Sequence, residues 1–310
     1  MLNIRPVLAF LDDSARRGQQ TVLVSITAVT GASTRNPGAL MGVAEDGRWI
    51  GSFSGGCIEA AVVGEALAVM KEGHPREVRY GAGSPYIDIR LPCGGGIDLL
   101  FTPLSDASFA ADALARLDAR SPVALCLPRG SGAPSLIEPD GSRSVIIQPD
   151  QVIIHHLPPL RLLIVGQGAA VAALERQATA FGALVRVLTP DQGLVDDLAA
   201  RGVPARLLRT QGPSPDFLAD AWTACVFYFH DHDWEAPLIA QALDSPAFYV
   251  GAMGSLRTHQ TRRALLSDMG LSEASMDRIA APIGLIASSR DPEVLALSTL
   301  AQLVERFERR

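Results

Sequence analysis

The sequence predicts an α/β protein in two parts: an N-terminal α+β domain over residues 1–157 and, over 158–310, a C-terminal doubly wound parallel sheet with helices on both faces. Three observations predict it. Residues 161–308 alternate short apolar β-type runs with segments of helical period, the pattern of a parallel sheet flanked by helices. The first half instead groups β-branched runs and a hairpin signal around fewer helical stretches. Between them, "HHLPPL" (155–160) sets two prolines between two β-rich runs, a natural end for one core and start for another. The second part therefore reads as Rossmann-like.

The elements follow in order. Val7, Leu8 and Leu11 have helical spacing, and Gly18 closes that segment. "TVLVSITAVTG" is a β-branched strand, and "ALMGVAEDGRWIGSF" reads as two strands around an Asp46-Gly47 turn. A helix beginning after Gly56 places Ile58, Ala61, Val62, Ala66, Val69 and Met70 on one face and ends at Gly73, with Pro75 beyond. Strands follow in "REVRY", "IDIRL" and "GIDLLFTPL", then a helix near 108–120 and strands in "PVALCLP" and "SVIIQPDQVIIHH". In the second part, "RLLIVG" is a buried strand, 169–181 a helix and "ALVRVLTP" a second strand. "ACVFYFH", a helix near 235–243, "AFYVG" and helices near 258–269 and 292–308 complete the alternation.

Composition narrows the function classes. A chain of 310 residues is long enough for two cores, and 48% hydrophobic with 19% charged residues is ordinary for a globular protein. Net charge is −6 with no run of Lys or Arg, which argues against a nucleic-acid surface and against a basic membrane anchor. The N-terminal segment lacks the apolar core of a signal peptide, and no apolar stretch reaches membrane-spanning length. Cys57, Cys93, Cys126 and Cys225 show no CxxC spacing and no disulfide framework, which fits a reducing compartment. The expectation is a cytoplasmic protein with neither nucleic-acid nor membrane partners.

Glycine turns mark the second part. "VGQGAAV" sets Gly166 and Gly168 between a strand and a helix, where N–H groups and the helix dipole receive a phosphate. Val171 stands where the dinucleotide fingerprint has its third glycine, and Asp191 is the nearby carboxylate available to a ribose. The turn is compatible with a nicotinamide cofactor, the other reading being a tight turn in an α/β sheet. "YVGAMGSLRTHQ" offers a second nest in Gly251 and Gly254, with Ser255, Arg257 and His259 at its rim. "FHDHDWE" alternates His230 and His232 with Asp231 and Asp233; on a strand the two imidazoles would share a face as metal ligands, while helix capping or crevice lining is the other reading.

Two cysteines stand in glycine-rich settings. "SGGCIEAAV" puts Gly55, Gly56 and Cys57 at the mouth of a helix, where the dipole and free N–H groups favour a thiolate. "LPCGGGIDLL" sets Cys93 before Gly94 and Gly95, where backbone approaches a ligand closely. Cys126 and Cys225 lie in apolar strands and read as packed thiols. Each glycine-flanked thiol has a structural as well as a site reading.

These motifs together resemble a family. "GASTRNPGALMGVAEDGRWIGSFSGGCIEAAV" resembles the N-terminal block of the XdhC family of xanthine dehydrogenase accessory proteins, and "PCGGGIDLLFTPL" is similar to its second cysteine motif. "FHDHD", "YVGAMGSLRTHQTRRALL" and "RIAAPIGL" are similar to its Rossmann-like domain. The resemblance implies a molybdenum cofactor chaperone, not a catalyst. Such a protein binds the molybdopterin form or its dinucleotide, protects it while a cysteine desulfurase supplies sulfur, and inserts it into a xanthine dehydrogenase-type molybdenum hydroxylase.

It also implies the site: Arg35, Gly55, Gly56, Cys57, Cys93, Gly94 and Gly95 in the first domain, with Cys57 and Cys93 toward the cofactor molybdenum. In the second it implies Gly166, Gly168, His230, Asp231, Gly251, Gly254, Ser255 and Arg257. The chain departs from the family at Leu40, where a basic residue is common, at Val171, and at Ile286, Ala287 and Ser288, where Asp-Ile-Gly is common. The rival readings are an NAD(P)-dependent oxidoreductase and a persulfide-carrying sulfur transferase.

Overall fold

The computed structural model describes residues 3–84, 94–141, 144–229, 232–287 and 289–310, with His232 described by its backbone alone. The chain divides into two compact units, Met1–Pro158 and Pro159–Arg310.

The first unit runs α1 (Arg5–Arg16), β1 (Thr21–Thr30), β2 (Leu40–Ala44), β3 (Trp49–Ile50), α2 (Glu59–Glu72), β4 (Arg76–Gly81) and β5 (Gly96–Leu104). It continues with α3 (Ser108–Asp118), β6 (Val123–Pro128), β7 (Ser135–Ile137), β8 (Val145–Ile147) and β9 (Gln151–His156). Five strands form an antiparallel sheet in the order β3-β2-β1-β5-β4, and four more form the order β7-β6-β9-β8. β1 is central and buried on both faces, so its side chains sort by the two-residue period of a strand. Val22, Val24 and Ile26 join the core under α2 with Val62, Ala66 and Val69. Leu23 enters a second core with Leu8 and Leu11 of α1 and Ala110 and Ala113 of α3.

The second unit begins β10 (Arg161–Gly166), α4 (Ala169–Phe181), β11 (Leu184–Thr189), α5 (Gln192–Ala200), β12 (Ala205–Leu207) and β13 (Thr223–Tyr228). It ends α6 (His232–Asp244), β14 (Tyr249–Ala252), α7 (Leu256–Asp268), α8 (Glu273–Met276), β15 (Ile279–Ala280) and α9 (Pro292–Glu308). Its six strands are parallel in the order β12-β11-β10-β13-β14-β15. Counted within the unit this is 3-2-1-4-5-6, the doubly wound order of dinucleotide-binding sheets. β10 alternates between the two faces: Leu162 and Ile164 pack with α4 and α9, and Leu163 and Val165 with α6 and α7. Among the described residues, no helix is long and apolar enough to cross a membrane.

Several elements differ from their sequence expectation. "SVIIQPDQVIIHH" is a hairpin, β8 and β9, because Pro149 and Asp150 form a turn closed by the Gln148 N–H donating to the Gln151 carbonyl. α5 and β12 had no sequence counterpart. Only Leu198 of α5 is fully buried, so its apolar stripe is too thin to show a period. α2 starts at Glu59 with Ile58 as its N-cap, so Cys57 lies just outside the helix. "IDIRL" (87–91) lies outside the described residues.

Candidate functional site

Three connections leave one end of the five-stranded sheet: 31–39 between β1 and β2, 51–58 between β3 and α2, and 82–95 between β4 and β5. The 31–39 connection links the other two. Thr34 Oγ1 donates to the Phe53 carbonyl at 2.7 Å, and Arg35 Nε donates to the Ser52 carbonyl at 3.1 Å. On the other side Gly95 packs against the Ala32 backbone, while the Ala82 N–H donates to the Gly95 carbonyl at 2.9 Å and closes the 82–95 connection on itself. Arg79 braces this corner: its Nη1 donates to both carboxylate oxygens of Asp98, its Nε to the Ala82 carbonyl and its Nη2 to Thr30 Oγ1. The motifs carrying Arg35, Gly55, Gly56, Cys57, Gly94 and Gly95 thus meet in one loop cluster. Cys93 lies outside the described residues.

The glycines there have distinct reasons. A Cβ on Gly95 would stand 2.0 Å from the Ala32 carbonyl oxygen, so the close approach that requires this glycine is to the chain itself. Gly94 has φ +71° and open space around a Cβ. Gly95→Ala is therefore expected to part the 31–39 and 82–95 connections and to destabilise the unit by about 1–3 kcal/mol, as overpacking does. Gly94→Ala should cost only the left-handed backbone penalty of about 1–2 kcal/mol and leave the loops joined. Urea titrations of both variants, with amide exchange at Ala32 and Gly95, check the pair; unchanged exchange in Gly95→Ala would contradict the packing argument.

Glu59 organises the cysteine loop, and sequence reasoning passed over it. Its Oε1 accepts from Ser52 Oγ at 2.7 Å and from the N–H groups of Phe53 and Ser54, each at 2.9 Å. Its Oε2 accepts from Ser54 Oγ and the Gly56 N–H, each at 2.8 Å, and from the Ile58 N–H at 3.2 Å. The remaining two N–H groups of the loop go to the serines: Gly55 to Ser52 Oγ at 3.0 Å and Cys57 to Ser54 Oγ at 2.9 Å. Every N–H from Phe53 to Ile58 therefore turns inward, and the positive φ of Gly55 (+80°) and Gly56 (+122°) permits it.

Burial raises the Glu59 pKa, but the hydrogen bonds from the Ser54 N–H and the Ser52 and Ser54 hydroxyls outweigh it and hold the carboxyl well below the usual range. The N–H donors that the sequence offered to a Cys57 thiolate are thus taken by Glu59 and Ser54. Cys57 itself is an exposed free thiol. Cys225 is buried in β13, where burial, with the Asp220 charge, raises its pKa far above the ordinary thiol value. Cys126 in β6 donates its S–H to Gln151 Oε1 at 2.9 Å.

In the second unit the strand order reverses between β10 and β13, so the connections after these strands flank the topological switch point. Gly166 ends β10 beside Tyr228; a Cβ there would stand 2.4 Å from the Tyr228 carbonyl oxygen. Gly168, with φ +83°, is the N-cap of α4 and supplies no side-chain bond to the first turn. The helices α5, α7, α8 and α9 are each capped by a side chain, from Asp191, Ser255, Ser272 and Asp291. The Asp191 carboxylate accordingly receives the Leu194 N–H, and Val171 is fully buried in the core under α4. His230 and Asp231 lie outside the described residues, and His232 opens α6, so a strand's shared face does not extend to it. Among the described residues, no group of three metal-binding side chains comes together.

The turn after β14 is differently built from its sequence reading. Gly251 is inside the strand, paired with Val226 and Ala280, and a Cβ on it would meet the Tyr249 ring at 2.5 Å. Gly254 (φ +125°) makes the turn, and the Ser255 hydroxyl accepts from the Thr258 N–H as the α7 cap. Arg257 is exposed on α7. Burial, reinforced by Arg262 and Arg263, lowers the His259 pKa. Below this turn lies a pair the sequence did not announce. Arg262 donates from Nε to Glu235 Oε2 at 2.9 Å, and from Nη2 to Oε1 at 3.0 Å and to the Met253 carbonyl at 2.7 Å. Both side chains are only 1% exposed.

Comparison with known proteins agrees with this architecture. Residues 14–81 match the XdhC and CoxI family, and residues 162–303 match the XdhC Rossmann domain. Gly94 and Gly95 fall between these matched stretches. Over 308 residues the chain is 36% identical to the molybdenum cofactor insertion chaperone PaoD of Escherichia coli (strain K12), covering 96% of this chain and 87% of that protein. A crystal structure described as a xanthine dehydrogenase from Bacillus halodurans has a TM-score of 0.77, over 98% of this chain and 96% of that one, at 23% identity. That likeness shows the fold. The full-length identity, with two family matches in the order that the units require, establishes that this chain belongs to the XdhC and CoxI family.

Proposed function

We propose that this protein is a molybdenum cofactor chaperone that binds the cofactor and inserts it into a xanthine dehydrogenase-type molybdenum hydroxylase. The observation that carries the reading is the 36% identity to a molybdenum cofactor insertion chaperone across 96% of the chain. The local chemistry supports it. In the N-terminal domain an exposed soft thiol, Cys57, stands on a loop held by Glu59, with the exposed Arg35 bonded to the same segment. A thiol of this kind suits molybdenum, and a guanidinium suits the oxygen-rich groups of a pterin cofactor.

In the Rossmann-like domain, Gly166 and Gly168 open α4 at the switch point without a side-chain cap. That end is better suited to the cofactor phosphate than the Ser255 end, whose first-turn N–H is already bonded to the Ser255 hydroxyl. Both the molybdopterin form and its dinucleotide carry such a phosphate. The same geometry disfavours a nicotinamide dinucleotide, because Val171 fills the position of the third glycine and Asp191 is engaged as a cap. Cys93 in the first unit, and separately His230 and Asp231 in the second, are proposed cofactor contacts on sequence grounds, and a cysteine desulfurase is the proposed sulfur donor.

The loaded protein, mixed anaerobically with cofactor-free hydroxylase, is expected to restore more activity than an equal amount of free cofactor. Reconstitution no better than free cofactor, across a range of protein concentrations, would overturn the insertion reading.

A further inference from the structure

We propose that Glu59 is the positioning residue for Cys57: its buried carboxylate gathers the loop 53–58 around itself and thereby fixes the thiol outward, toward the cofactor. The inference rests on the chaperone reading for what the thiol meets, and on the structure alone for how the thiol is held.

The loop 53–58 has the form of an anion nest, a run of N–H groups converging on one negative group. Here the protein fills the nest itself. Four N–H groups, those of Phe53, Ser54, Gly56 and Ile58, donate to the Glu59 carboxylate. Gly55 and Cys57 are bound one step removed, through Ser52 and Ser54, whose hydroxyls in turn donate to the two oxygens of Glu59. Glu59 is buried while Cys57, two residues earlier, is exposed. A loop with all its N–H donors turned inward offers carbonyl oxygens and side chains outward, and among those side chains Cys57 is the one with soft-metal-binding chemistry. The filled nest also repels a second anion, so the phosphate end of the cofactor is excluded from this loop and the thiol is left for its metal end.

The substitution Glu59→Gln separates the two halves of the network. The amide oxygen can replace one carboxylate oxygen, but the NH2 group must then face donors, either those of Phe53 and Ser54 or those of Gly56 and Ile58. In the full chain without cofactor, hydrogen exchange across 53–58 is expected to rise about tenfold or more, corresponding to about 1.4 kcal/mol, with α2 amides near Val69 unchanged. Alkylation of Cys57 by iodoacetamide should change in rate by a similar factor. Ser54→Ala, a milder change that frees the Cys57 N–H and keeps the carboxylate, gives the same test should Glu59→Gln fail to fold.

A double-mutant cycle then separates positioning from general structure. Glu59→Gln is expected to weaken cofactor retention about tenfold in the parent and not further in Cys57→Ala. Unchanged exchange and alkylation in both variants, or losses that multiply in the cycle, would overturn the proposal. A parent that holds no cofactor would overturn the chaperone reading instead, and exchange and alkylation would still decide the role of Glu59.

Discussion

Cys57→Ala is expected to weaken retention of the molybdenum cofactor about 10- to 150-fold, the equivalent of losing one charge-assisted contact of about 1.5–3 kcal/mol. The expectation rests on contrast among the described thiols. Cys57 is exposed on the glycine loop, whereas Cys225 is enclosed in the sheet and Cys126 is hydrogen-bonded to Gln151. Cys126→Ala and Cys225→Ala should therefore leave retention unchanged and lower stability by about 1 kcal/mol, the usual cost of a point substitution. Cys93→Ala is the companion variant on sequence grounds. Molybdenum retained per chain after anaerobic gel filtration gives the answer. A Cys57→Ala protein that keeps the parent's metal content would remove the thiol from the site.

Arg262→Met should destabilise the second unit by about 3–5 kcal/mol, because it leaves the Glu235 carboxylate charged and buried. The fork geometry is satisfied on both carboxylate oxygens and on the Met253 carbonyl, so no water substitutes cheaply for the guanidinium. Adding Glu235→Leu removes the buried charge and should recover most of that loss. A residue of about 1–3 kcal/mol remains, since the Met253 carbonyl still lacks its donor. Denaturant titration followed by tryptophan fluorescence reports on this unit through Trp222 and Trp234. Equal midpoints for Arg262→Met and the double variant would show that charge burial is not the cause.

Much of the architecture was legible because it follows from local pattern. The central strands of the second unit, β10, β13 and β14, show in sequence as predominantly apolar runs, and α4 is bounded as its period and glycines indicate. The elements that escaped notice are short or thinly buried: α5 with one fully buried residue, and the brief strands β7, β12 and β15. The loop cluster was legible as motifs but not as a cluster, since only strand order brings Gly31, Phe53 and Gly95 to one end. Glu59 was invisible for a different reason. An acidic residue in a first helical turn ordinarily complements the helix dipole from the surface, and nothing in its spelling says that it is buried and surrounded by donors. Gly251 shows the reverse error, a glycine read as a turn that is instead required by the Tyr249 ring.

The pairing of β1 with β5 bears on how the protein becomes competent during its own folding. β2, β3, α2 and β4 all intervene in the chain between these two central neighbours, whose register runs from Thr21 beside Leu104 to Thr30 beside Gly96. Closing so long a stretch is paid in chain entropy before any contact rewards it, so such pairings form slowly compared with hairpins and helices. The hairpin β1–β2 and the Glu59 loop can assemble from neighbouring residues alone, but Gly95 reaches Ala32 only once β5 has docked on β1. A newly made chain is therefore expected to acquire its 51–58 loop early and its complete loop cluster last, so that a partly folded molecule presents Cys57 before Gly95 has docked on Ala32.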